Sequence, residues 1–185
     1  MLRSRKKDPI VVRRALLDSA GRIAANEGFA AVTLQTVAAA ANVTKGGLFH
    51  HFINKQALID AMIDEQLENF DKRIATHIEA DEVTHGRFTR AYVLTVLDWS
   101  MFVKGSVWGA MASYASADHS VRVIWSQWMR RQLEQHVKTD NALELEVVRL
   151  AADGAWLCYH IDNTATEERI ANLRHHLIRH TLPKI

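Results

Sequence analysis

Between residues 44 and 51 the chain reads TKGGLFHH, and its polar chemistry is densest there. Lys45 brings a cation with three donors, and His50 and His51 bring imidazole nitrogens that donate or accept. Phe49 adds an aromatic face, while Gly46 and Gly47 take up almost no room beside it. A short element of this kind brings its backbone close to the wall of a DNA groove. Lys45 then reaches guanine edges or phosphate, and His50 or His51 reaches either. Plain surface solvation is the competing account of the two histidines.

The flanking residues predict the elements that hold this surface. Thr33 caps a helix that opens at Leu34, and Val37, Ala38 and Ala41 follow at helical spacing. Asn42 ends it, being one of the few residues besides glycine that readily turns left-handed. Thr44 caps the next helix after a connection of about three residues, the length found in a helix-turn-helix. Leu48 and Phe52 then face inward at i, i+4. Upstream, Asp8 and Pro9 start a first helix with Leu16, Ala20, Ile23 and Ala24 on its apolar stripe, and Gly28 stops it. Downstream, Asn54 caps a helix whose series Leu58, Met62, Ile63, Leu67, Phe70, Ile74 and Ile78 runs to about Glu79. That rod, roughly 37 Å long, is the expected link between head and body. Ahead of everything lies a basic arm, Arg3, Arg5, Lys6 and Lys7, suited to phosphates or a minor groove.

The order VTLQTVAAAANVTKGGLFHHFINKQALI resembles the DNA-binding segment of the tetracycline-repressor (TetR) family of bacterial transcription regulators. Val43, Gly46, Leu48, His51, Phe52, Asn54, Lys55 and Leu58 match that family's turn-and-recognition pattern. Asn42 replaces the usual glycine, and Phe49 replaces the usual tyrosine and so lacks the hydroxyl that would reach a phosphate. The motif spans roughly residues 10–64, while the rest is similar in length and helical character. The resemblance implies an all-α, homodimeric fold: an N-terminal three-helix DNA-binding domain over residues 1–54, and a larger helical bundle over 55–185 for effector binding and dimerisation, with helix 55–79 joining them. It also implies that Thr33 and Lys55 clamp phosphates at helix N-termini, and that Gln35 reads a base. Two heads of a dimer would meet a pseudo-palindromic operator with recognition helices about 34 Å apart, or a multiple.

Charge supports the same division. Residues 1–55 carry nine Lys or Arg against three acids, a net of +6, whereas 56–185 carry fourteen against eighteen, a net of −4. The single cysteine, Cys158, excludes an intrachain disulfide framework and fits a reducing cytoplasm. The basic N-terminus is unlike a signal peptide, and no run of about 18 apolar residues suggests a membrane span. Two prolines, eight glycines and no alternating β-branched runs favour helices throughout.

In the body, helices are expected from about Arg87 to Val103, Val107 to Ala117, from a cap at Asp118 or Ser120 to about Lys138, and from Asp140 or Asn141 to about Ile161. A last helix is expected after a Thr164–Glu167 capping box, with Ile170, Leu173, Leu177 and Ile178 on its buried side. All five tryptophans lie here. Trp99, Phe102, Trp108, Met111, Tyr114, Trp125, Trp128 and Trp156 are candidates to line a small-molecule cavity, with ordinary core packing as the alternative for each. Asp98, Asp153 and His160 stand within apolar stretches, where an unpaired polar group is costly. They are candidates to orient a ligand, to satisfy one another or to bond the backbone. The resemblance implies a small-molecule effector and a dimer through the last two helices, where Ala151, Ala152, Gly154 and Ala155 permit close approach.

Three readings follow. The first is an effector-released dimeric repressor on double-stranded operator DNA. The second is a DNA-binding relative without an inducer. The third is a metal sensor or enzyme. His176 and His180 stand at i, i+4 beside His175, but the ligand complement is too poor for a clear metal site. No phosphate loop or nucleophile motif is present, so no enzyme activity and no cofactor are expected.

Overall fold

A computed structural model of the chain describes residues 8–183, less the side chains of Ser113, Ala115, Ser116, Ala117 and Ser120. Every regular element among the described residues is helical. The chain divides into two compact units, the first ending at Gln66 and the second beginning at Leu67.

In the first unit, α1 spans Pro9–Glu27. Asp8 opens it by accepting from the Ile10 amide at 2.9 Å, and Gly28 closes it at φ 82°. A 3-10 turn, Phe29–Ala31, precedes α2, Leu34–Ala40, and α3, Lys45–Phe49. Ala41 to Thr44 connect α2 to α3, with Asn42 left-handed at φ 51° as its residue type predicts. Leu16, Ala20 and Ala24 of α1 are buried, as are Val37, Leu48 and Phe52, and Leu58, Met62 and Ile63 of the next helix. The second helix of the pair is shorter than its i, i+4 pattern suggests. It stops at Phe49, yet Phe52 is buried because its amide still bonds the Leu48 carbonyl at 2.9 Å in the closing turn.

The helix α4 spans Lys55–Glu79, capped by Asn54, whose Oδ1 accepts from the Ala57 amide at 2.8 Å. Its residues up to Gln66 belong to the first unit and those from Leu67 to the second. The second unit continues with α5 (Arg87–Val96), a 3-10 turn (Trp99–Met101), α6 (Val107–Ala117), α7 (His119–Gln135), α8 (Val137–Asp140), α9 (Leu143–Asp162) and α10 (Glu167–Arg179). Phe70, Phe88, Tyr92, Leu97, Trp128 and Leu145 form its core.

Four expected boundaries move. The helix expected to reach Val103 ends at Val96, because Leu97 leaves helical geometry and Asp98 caps the 3-10 turn, accepting from the Ser100 amide at 2.9 Å. The helix expected to reach Lys138 breaks at His136. The last helix is capped by Thr166, which accepts from the Arg169 amide, rather than by Thr164; Asn163 turns left-handed first, and the chain runs extended into Thr166. Asp140 does not start α9 either. It is buried and caps α5 from a distance, accepting from the amides of Phe88 (3.3 Å) and Thr89 (2.7 Å) and from the Thr89 hydroxyl (2.6 Å). A local cap is impossible there, because the N-cap residue of α5 is Gly86, left-handed at φ 69° and without a side chain. Arg149 completes the arrangement by donating to the Thr89 hydroxyl at 2.6 Å and to the Asp140 carbonyl at 3.3 Å.

Candidate functional site

The head presents α3 on a fixed frame. The Thr44 hydroxyl accepts from the Gly47 amide at 3.1 Å, and Thr33 and Thr36 cap α2 reciprocally, each side chain taking the other's amide. Lys45, Gly46, Phe49 and His50 are exposed, and His51 is half-buried beside Phe52. The Lys45 ammonium lies 5.9 Å from the centroid of the Phe49 ring, so an exposed cation and an exposed aromatic form one patch.

The two glycines differ in what they do. A Cβ at Gly47 would sit 3.0 Å from Val43 Cγ1 and 3.2 Å from Thr44 Oγ1, disturbing the cap. A Cβ at Gly46 would meet nothing within 4 Å, so nothing inside the chain demands a glycine there. Thr33 and Gln35 are exposed at the start of α2. Lys55 is half-buried and donates to the Phe29 carbonyl at 3.1 Å, which ties the start of α4 to the turn before α2 and leaves two ammonium protons for other acceptors. Arg3 and Arg5 lie outside the described residues. Sequence reasoning passed over Ile53, 78% exposed just beyond α3; an isolated isoleucine in a polar turn carries no pattern that would single it out.

In the second unit the aromatic residues gather into two groups. Phe70 is the hub of the first, with Trp108, Trp125 and Trp128 at centroid distances of 5.4, 6.0 and 5.3 Å and Tyr92 at 6.0 Å. The Trp128 indole donates to Asp71 at 2.8 Å. The second group stacks Phe102 on His160 at 5.1 Å and on Trp99 at 6.5 Å, with Trp156 edge-on to His160. Burial lowers the His160 pKa, disfavouring the charged ring. Met111 is buried, and the Tyr114 hydroxyl donates to Asp118 at 2.9 Å.

The two candidate acids part company. Asp98 has structural work: it pairs with Arg73 at 3.0 Å and accepts from Ser100. Burial alone would raise its pKa, but the Ser100 hydroxyl and amide and the Arg73 guanidinium outweigh it and hold the carboxyl below its usual range. Asp153 lines an open cleft between α7 and α9. One lobe of about 290 Å³ includes Met129, Leu133, Glu146 and Arg149, and an overlapping lobe of about 540 Å³ adds Trp125, Arg130 and Glu134. Asp153 accepts a hydrogen bond from the Tyr92 hydroxyl. Burial pushes its pKa up to about 6, against the pull of that hydrogen bond and of Arg149. Neither Tyr92 nor Arg149 reads as a site residue in the sequence: Tyr92 follows the apolar rhythm of its helix, and a lone arginine such as Arg149 carries no pattern that would single it out.

Residues 86–181 match the family model described as tetracyclin repressor-like, C-terminal domain, and residues 16–62 match that of bacterial regulatory proteins, tetR family. The chain belongs to the tetR family. This tetR-family chain is 32% identical over 83 residues to the HTH-type transcriptional regulator TtgR of Pseudomonas putida, a stretch covering 45% of this chain and 40% of that protein. It is 36% identical over 63 residues to the transposon Tn10 TetC protein of Escherichia coli, covering 34% of this chain and 32% of that one. The match therefore spans less than half the length of these curated relatives. Among solved structures, a TetR-family member from Streptomyces coelicolor A3 aligns with a TM-score of 0.68 at 21% identity, covering 93% of this chain and 99% of that one. The multidrug binding protein EbrR, complexed with malachite green, aligns with a TM-score of 0.71 at 20% identity, covering 92% and 98%. At these identities the likeness is one of fold, and it carries the all-α, two-part architecture of the tetR family across nearly the whole chain. Among the described residues no helix is long and apolar enough to cross a membrane.

Proposed function

We propose that this chain is a DNA-binding transcriptional regulator, a homodimeric repressor that a small-molecule effector releases from a pseudo-palindromic operator. The observation that carries the reading is α3: a capped helix that exposes Lys45, Gly46, Phe49 and His50 together, with a glycine at 46 that no internal contact requires. Thr33 and Lys55 take phosphates, Gln35 reads a base, Lys45 takes guanine edges or phosphate, and Phe49 packs on sugar or a thymine methyl. The regulator and repressor names of the relatives TtgR and KstR2, the latter from Rhodococcus jostii, support this assignment.

Dimerisation is supported by α9, where Leu143, Val147, Leu150 and Ile161 are 69, 57, 62 and 68% exposed along one face. A second copy would cover that stripe. The effector part rests on the cleft at Asp153, where Trp125 is the one nominated aromatic among the lining residues beside Met129 and Leu133, and the ligand-bound EbrR neighbour supports it. Its effect on DNA requires unequal affinity for operator-bound and released states, transmitted through α4, which both units share. The reading places the protein in the cytoplasm with its operator.

The test is selection of bound fragments from genomic DNA, followed by size-exclusion with light scattering. Recovery of a two-fold-symmetric sequence bound by a dimer is the expected result. No enriched fragment, or a monomer bound to an asymmetric one, would refute the proposal.

A further inference from the structure

We infer that the cleft between α7 and α9 takes an organic cation with an apolar body, its charge set against Asp153 and its body against Trp125, Met129 and Leu133. The first argument is the state of Asp153. It is a largely buried carboxyl whose one hydrogen bond is from the Tyr92 hydroxyl, and among the described residues no ion pair reaches it. Arg149, one helical turn earlier, is engaged by the Thr89 hydroxyl and the Asp140 carbonyl. A buried carboxylate without a counter-ion is costly, and a cationic guest removes that cost.

The second argument is the lining. Facing Asp153 are Tyr92 from α5, Glu146 and Arg149 from α9, and Arg130 and Glu134 from α7. Besides Asp140, whose carboxylate is taken up by internal donors, an anionic guest would meet three carboxylates, Asp153, Glu134 and Glu146, against two guanidiniums, of which Arg149 is already engaged. An uncharged guest would bury Asp153 further with nothing to balance it. A cation gains from all three acids and from the face of Trp125, which Phe70 and Trp128 hold in place at 6.0 and 5.0 Å. The two lobes, about 290 and 540 Å³, suit a fused-ring body.

Calorimetry on the full chain with three skeleton-matched probes tests the inference: (2-naphthylmethyl)trimethylammonium, 2-naphthylmethanol and 2-naphthylacetate. At about pH 7.5 the ammonium binds about tenfold or more tighter than the alcohol, and the acetate binds weakest. Asp153→Asn removes most of the ammonium's advantage and leaves the alcohol unchanged. In the unaltered protein the ammonium weakens severalfold on going to about pH 5, as Asp153 takes up its proton, while the alcohol does not; this arm needs no variant. An alcohol that binds as tightly as the ammonium, an ammonium indifferent to Asp153→Asn in a normally folded variant, or no binding by any probe overturns the inference.

The consequence for DNA rests on the effector reading above, and the two separate cleanly. Selected DNA that stays bound under saturating ammonium refutes the effector reading and leaves the cation site standing. Release by the acetate but not by the ammonium overturns the cation site and leaves the effector reading standing.

Discussion

Asp153→Asn is expected to make the protein more stable near neutral pH, by an amount that depends on pH. The folded chain holds this carboxyl at about 6 against an ordinary value of 3.8, with burial as the leading cause. A carboxyl raised on folding favours the fold fully below its unfolded pKa, and that contribution is lost as pH climbs through the folded value. The window here is therefore from near 4 to somewhat above 6. About two pKa units correspond to roughly 3 kcal/mol of stability lost by neutral pH, most of which is still present at about pH 4. Asparagine avoids the ionisation but bonds Tyr92 more weakly, at a cost of about 1 kcal/mol at every pH.

Urea unfolding at fixed protein concentration measures the difference, since the stability of the proposed dimer would depend on concentration. The variant should be slightly less stable than the parent at about pH 4 and about 2 kcal/mol more stable at about pH 7.5. Parallel stability curves for the two proteins would mean that Asp153 titrates as an ordinary surface acid. The burial argument would then be wrong, and the cation site would lose its main support.

Four further outcomes follow from the geometry. Gly46→Ala should leave the melting temperature level or slightly raised, since alanine is the better helix former by about 1 kcal/mol, yet weaken binding to selected DNA by gel shift; unchanged DNA affinity would remove the groove-contact role. Gly86→Ala should destabilise by about 2 kcal/mol or more in urea, because a Cβ there would stand 2.7 Å from the Thr181 carbonyl oxygen at a φ of 69°. Lys55→Ala should weaken binding to all DNA sequences and reduce the salt slope by about 1, while losing the bond to Phe29; an unchanged slope in titrations at several salt concentrations would deny it the phosphate. Phe49→Tyr should tighten DNA binding by restoring a hydroxyl, and failure to do so in the same gel shifts would count against the missing hydroxyl as what shifts affinity onto Thr33, Lys45 and Lys55.

The head was almost fully legible in the sequence because its determinants are local. Asp8, Gly28, Thr33, Asn42, Thr44 and Asn54 each act on residues within four positions, and each stands where its side-chain chemistry or backbone freedom placed it. The long apolar series of α4 was legible for the same reason. Legibility failed where the partner is distant. The short α5 looked longer because Tyr92, Val96, Trp99 and Phe102 keep a helical rhythm straight through a break that Asp98 imposes. The aromatic residues could be nominated as a set but not sorted into two groups, since no spacing along the chain tells which ring meets Phe70 and which meets His160.

The sharpest instance is the pair Asp140 and Asp153, thirteen positions apart on neighbouring stretches of similar composition. In the fold Asp140 takes hydrogen bonds from two amides and from the hydroxyls of Thr89 and Thr139, and Arg149 lies against its carbonyl; every demand of a buried carboxylate is met from within. Asp153 receives one hydrogen bond, from Tyr92, and opens on a cleft. Asp140 is fully buried and Asp153 part-buried, but that difference in degree does not by itself separate scaffold from site. The count of satisfied oxygens does. An acid whose acceptors are all filled holds a helix end in place, and removing it should cost the fold about 2 to 4 kcal/mol. An acid left short of partners holds a charge available to something else, which is why replacing Asp140 and replacing Asp153 are expected to move stability in opposite directions at neutral pH.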